Sequence, residues 1–172
     1  MSSDPFTTGS APEPTPPGAL WTFRGGRLMD AAENTVAQLS RPHATITTEA
    51  GLWHVAKAGS LMKFGLKATP GPLAIRQTTF SVNELECETP EATLALTRVR
   101  RTGHGRDRII TRKDSGGQQK YDEPIGFIRV HGDGEVRIEF TDAGQAPSTE
   151  AIALIALAVD QIDGKGATAV RI

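Results

Sequence analysis

The chain has 172 residues, 38% of them apolar, and a net charge of −1. That apolar share suits one globular domain with a genuine core, and the near-neutral charge gives no global pull towards nucleic acid or a membrane surface. The single cysteine, Cys87, excludes an internal disulfide and a cysteine-rich zinc site.

Residues 1–18 are rich in Ser, Thr, Pro and Gly and nearly free of large apolar side chains. Such a stretch buries too little surface to offset its ordering entropy, so a disordered tail is expected there. Residues 19–172 are then a single β-rich domain. No positively charged start followed by an apolar stretch marks a signal peptide. The longest apolar run, Ala151–Val159, falls well short of the roughly 20 residues that cross a bilayer. A cytoplasmic protein with no transmembrane segment is the expectation.

The elements follow in chain order. Leu28, Ala32, Val36 and Leu39 recur at helical spacing with Pro42 just beyond, so a short helix competes with strand there. Ala44–Thr48 and Leu52–Ala56 read as strands joined through Gly51. Met62, Phe64 and Leu66 alternate with Lys63, Gly65 and Lys67, and Val136, Ile138 and Phe140 alternate with Glu135, Arg137 and Glu139. Period two places one set in the core and the other in water. Leu73–Thr79, Thr93–Val99, Arg108–Arg112 and Gly126–Val130 are further short runs rich in strand-forming residues. Pro70-Gly71-Pro72 and the Gly103 and Gly105 pair separate such runs. Asp133-Gly134 suits the positive backbone angles of a tight hairpin turn. This spacing predicts a meander of antiparallel strands.

The C-terminal segment differs in kind. Ser148, Thr149 and Glu150 offer a cap hydroxyl and an acid for a helix start. Ala151–Val159 then runs without one polar residue. Ala and Leu favour helix over strand. A helix apolar on every side is buried on every side. The helix is predicted over about 149–163, with Asp160, Gln161 and Asp163 emerging into water and Gly164 as its C-cap. Ala167–Ile172 is read as a final short strand. The fold class is mainly β (α+β), a closed antiparallel β-barrel around a buried hydrophobic C-terminal helix.

A meander around such a helix resembles the tubby C-terminal-like superfamily, with its LURP-one-related and phospholipid-scramblase-like members. The Ile152–Ile162 stretch looks like the family's central helix. Glu123-Pro124-Ile125-Gly126-Phe127-Ile128-Arg129 is similar to its recurring strand with a Gly-aliphatic-basic pattern. The resemblance implies a non-enzymatic protein. In tubby proteins, basic residues on the barrel surface bind phosphoinositide headgroups. The scramblase calcium-binding and palmitoylated cysteine clusters are missing, so lipid scrambling is not implied.

Between Arg98 and Lys120 the chain carries +6, leaving −7 elsewhere. Arg98, Arg100, Arg101, Arg106, Arg108, Arg112 and Lys113 lie on two strands and their connecting loop. They form a candidate anion-binding set through charge-assisted hydrogen bonds to phosphate. The structural alternative is a solvated edge hairpin whose charges block edge-to-edge pairing. The segment lacks aromatics, which weakens a nucleic-acid reading. His43, His54, His104 and His131 show no metal-ligand spacing. No P-loop ending follows Gly103-His104-Gly105 or Ser115-Gly116-Gly117. Glu84, Glu86 and Glu88 would share one face of a strand, as an acid–base group or as a solvated face opposite the basic hairpin. Trp21 and Trp53 read as core or barrel-end aromatics.

The favoured reading is a non-catalytic binding or interaction protein with no cofactor. It takes an anionic ligand, such as a lipid headgroup, or another protein. A small enzyme with a His/Glu site in a barrel mouth and a nucleic-acid binder stay open as alternatives.

Overall fold

The computed structural model describes residues 20–40, 44–60, 62–79, 81–99, 107–113 and 123–164. The strands are β1 Leu20–Arg24, β2 Arg27–Met29, β3 Thr35–Ser40, β4 Thr45–Thr48, β5 Gly51–Lys57 and β6 Gly65–Thr69. They continue as β7 Leu73–Gln77, β8 Glu84–Glu88, β9 Thr93–Arg98, β10 Arg108–Lys113, β11 Gly126–Val130 and β12 Val136–Phe140. Each pairs antiparallel with its predecessor. β12 returns to β1, with Trp21 opposite Ile138 and Phe23 opposite Val136, and closes the barrel. A 3-10 turn, Ala143–Gln145, leads into helix α1, Thr149–Asp163.

Alternation sets the two faces of the wall. Val136, Ile138 and Phe140 point inward while Arg137 and Glu139 face out. Leu85 and Cys87 point inward between Glu84, Glu86 and Glu88. Inside runs α1, packed against β3, β4, β7 and β12 on different sides of the ring. From Ala151 to Val159 no residue is more than 4% exposed. Each large aliphatic side chain removed from water there contributes about 1.5–3 kcal/mol. The alanines at 151, 153, 156 and 158 let the wall approach closely. Trp21 and Phe140 fill space together, edge to face with ring centroids 5.9 Å apart. Trp53 packs on the edge of the same core.

The Gly126 position in the Gly-aliphatic-basic strand has a steric cause. A Cβ there would lie 2.6 Å from the Glu139 carbonyl oxygen and 3.1 Å from the Phe140 ring.

Several local expectations are corrected. Leu28–Leu39 is no helix: it forms β2 and β3, with a register shift between Leu28 and Met29. That irregularity breaks the period-two pattern and leaves apolar residues at helix-like spacing. The strand expected from Met62 starts only at Gly65, and Met62 sits in the preceding turn, 76% exposed. In the β11–β12 turn only Gly134 takes a positive φ, and Asp133 does not. An edge hairpin is also excluded, because β10 is paired on both sides. The expected tail 1–18 and the strand at 167–172 lie outside the described residues.

Substituting Gly126→Ala is expected to cost about 1–3 kcal/mol through overpacking, and Leu154→Ala about 2–5 kcal/mol through a cavity. Urea denaturation followed by far-UV circular dichroism measures both. Burial, with Glu88 adding to it, pushes the Cys87 thiol up to about 12. The native protein should therefore react with a thiol reagent at neutral pH only after denaturant is added.

Candidate functional site

Antiparallel order gives the barrel two rims. Odd-numbered strands end at what is here termed the upper rim, where α1 also ends; α1 starts at the lower rim. The basic hairpin spans both. At the upper rim Val99 N–H donates to the Asp107 carbonyl at 2.9 Å, so residues 100–106 connect two paired strand ends.

Arg98 and Arg108 turn inward at the root of that connection. Asp163, the last residue of α1, is fully buried rather than emerging into water. Its carboxylate accepts from Arg108 Nε at 2.8 Å and from Arg98 Nη2. Arg108 is itself fully buried, and donates to the carbonyls of Val82 at 2.8 Å, Asn83 at 3.2 Å and Leu96 at 3.3 Å. Arg98 donates to Asn83 Oδ1 at 3.1 Å, while its Nε–H is buried without a hydrogen-bond partner. Burial lowers the Arg108 pKa from its ordinary value, against the attraction of Asp163. The two guanidinium groups exceed the one carboxylate by a positive charge.

The expected anion-binding set therefore divides. Arg108 has no surface to offer a ligand and Arg98 is largely committed, so both hold the helix end. Arg100, Arg101 and Arg106 lie outside the described residues. Arg112 and Lys113 are exposed at the other end of β10. At about 3.4 Å per residue, Lys113 stands roughly 17 Å along the strand from Arg108. Lys113 pairs across β9 with Glu86, which also accepts from Arg76 at 3.4 Å. Glu86 thus neutralises part of the hairpin.

Gly164 caps the helix for a reason other than the expected one. Its φ of −74° is open to any residue. A Cβ, however, would lie 2.3 Å from the Asp160 carbonyl oxygen. At the other end, Ser148 occupies the N-cap position but makes no side-chain cap bond.

Among the described residues, hollows open at the rims and on the wall. One of about 470 Å³ opens at the upper rim, with Phe23, Leu39 and Leu157 as apolar lining and Arg24, Asp133 and Gln161 as polar lining. Arg24 pairs with Asp133 at 3.2 Å and Glu135 at 2.9 Å. The backbone N–H of Glu135, with Arg24 assisting, holds the Asp133 carboxyl below its usual range. At the lower rim a hollow of about 940 Å³ is lined by Asp30, Asn34, Glu49, Ser148 and Glu150, among others.

The histidines are not brought together. His54 is exposed on β5 and His131 in the β11–β12 turn. β5 and β11 are six strand positions apart in either direction around the ring. His43 and His104 lie outside the described residues. Among the described residues no three His, Cys, Asp or Glu side chains could hold a metal ion, and no helix is long and apolar enough to cross a membrane. No protein-family model, curated protein or solved structure matches the chain.

Replacing Asp163→Asn leaves two guanidinium groups without their counter-charge. The expected loss is about 3–5 kcal/mol in urea denaturation. Arg108→Met is expected to be similarly severe. Combining it with Asp163→Leu should cost clearly less than the two single changes added together. Simple additivity would show that the pair is not coupled.

Proposed function

We propose that the protein is a non-catalytic binding protein of tubby-like type, taking an anionic, phosphate-bearing partner on the β9–β10 turn at the upper rim. The observation that carries this reading is the run of Arg100, Arg101 and Arg106 in the sequence between the ends of β9 and β10, which Val99 and Asp107 hold together at the upper rim. These three arginines lie in the sequence between the two strands and are the proposed ligand contacts. The closed barrel threaded by an apolar helix supports the family reading. With the interior filled, a ligand is left with rims and outer wall. A paired His/Glu site gains no support from His54 and His131, which stand on opposite sides of the ring.

Sedimentation with phosphatidylcholine vesicles, with and without phosphatidylserine, tests the proposal at low salt. Binding is expected only to the anionic vesicles. Arg100→Glu with Arg101→Glu should weaken it at least about tenfold, since each basic residue near such a surface contributes about 1 kcal/mol. Equal, negligible sedimentation with both vesicles, together with no binding to inositol phosphates, would overturn the proposal. Tighter binding to single-stranded nucleic acid, steeply weakened by salt, would favour the nucleic-acid alternative.

A further inference from the structure

The barrel's charge is uneven around its circumference. From Ala50 to Asn83 the chain contains no acidic residue, but it holds Lys57, Lys63, Lys67 and Arg76. This stretch forms all of β5, β6 and β7, the β6–β7 turn at the lower rim and the connections at the upper rim. The β5–β6, β7–β8 and β9–β10 turns are consecutive around the upper rim. Glu86 on β8 pairs with Arg76 at 3.4 Å, which leaves Lys57 as the exposed cation beside the β5–β6 turn; Glu84 and Asp107 stand at the strand ends where the next two connections join the wall.

Among the described residues of this sector two large apolar side chains are exposed: Leu52, 49% exposed near the lower-rim start of β5, and Met62 at the upper rim. Met62, at the tip of the β5–β6 turn, is 76% exposed. Its position is built. Ala58 N–H donates to the Gly65 carbonyl at 3.0 Å, and Ser60 N–H to the Lys63 carbonyl at 2.9 Å. Ser60 Oγ accepts from the N–H groups of Met62 and Lys63, both at 3.2 Å. The Gln77 side-chain oxygen accepts from Phe64 N–H at 3.0 Å, tying the turn to β7. Even the chain crossing is tight, because a Cβ on Gly59 would lie 2.1 Å from the Lys63 carbonyl oxygen. Exposed Lys57 stands at its base.

We infer that this turn is a membrane-insertion tip: Met62 enters the interface of an anionic bilayer while the acid-free sector around Lys57 meets the headgroups. An apolar tip on a cationic rim matches a bilayer surface in both respects. A folded polyanion such as RNA would satisfy only the charge. The inference rests on the anion-binding reading above and adds depth and orientation to it, with the upper rim towards the lipid.

Met62→Cys labelled with an environment-sensitive fluorophore tests the insertion in the full chain. Cys87 is fully buried and does not compete for label. Glu91→Cys, exposed in the β8–β9 turn at the lower rim, is the control. With phosphatidylserine-containing vesicles the label at 62 should shift to the blue and be quenched by a bilayer-embedded quencher. The label at 91 should do neither. In the unlabelled protein, Met62→Asp should lower vesicle partitioning at least about tenfold. Sedimentation with anionic vesicles but no shift at 62 would overturn the insertion and spare the anion-binding reading. No association with vesicles or soluble anions would overturn both. Equal responses at 62 and 91, or tighter binding to RNA than to vesicles, would also overturn it.

Discussion

An apolar helix enclosed by a closed sheet has to stop at a defined depth. Its side chains do not fix that depth, because Ala, Ile and Leu repeat along α1 and a shift along the axis exchanges similar residues. The ion cluster at its end does. Arg98 and Arg108 both reach the buried Asp163, and Arg108 in turn grips the carbonyls of Val82, Asn83 and Leu96. β9, β10 and the end of α1 meet at this carboxylate, and the two arginines tie the β7–β8 residues Val82 and Asn83 to it. Removing two charges from water costs several kcal/mol, so such a cluster adds little net stability but strongly penalises any arrangement that separates its members.

The helix also explains why the two rims differ. A helix carries partial positive charge at its start and partial negative charge at its end. Asp30, Glu49 and Glu150 gather around the start of α1 at the lower rim. Arginines gather at its end. The groups nearest the two ends of the helix thus complement its dipole. A barrel closed around a helix has no interior left for a ligand, and recognition moves to these unlike ends.

Much of the architecture was legible because it depends on local pattern. Val136, Ile138 and Phe140 declare a half-buried strand, and nine uninterrupted apolar residues declare an enclosed helix. β2 and β3 were ambiguous because the irregularity at Leu28 and Met29 shifts the inward set by one residue. Met62 was misplaced because alternation cannot show where pairing stops. Asp163 was the harder case. An acid after an apolar run reads as emergence into water, and its partners stand 55 and 65 positions earlier in the chain. A basic cluster in sequence is likewise not a cluster in space: the same strand sends Arg108 into the core at one rim and Lys113 to the surface at the other.

The enclosed helix comes after every strand of the wall. During synthesis all twelve strands leave the ribosome before the element that fills them. Until then Ile46, Ile75, Leu96 and Ile138 have nothing to line. Closure also needs β1 to meet β12, more than a hundred residues later in the chain. Such long-range pairing folds slowly and leaves strands open to wrong partners meanwhile. The helix therefore acts as a check on completeness: a chain cut short before Ala151 keeps every strand and still lacks the centre that turns them into one molecule.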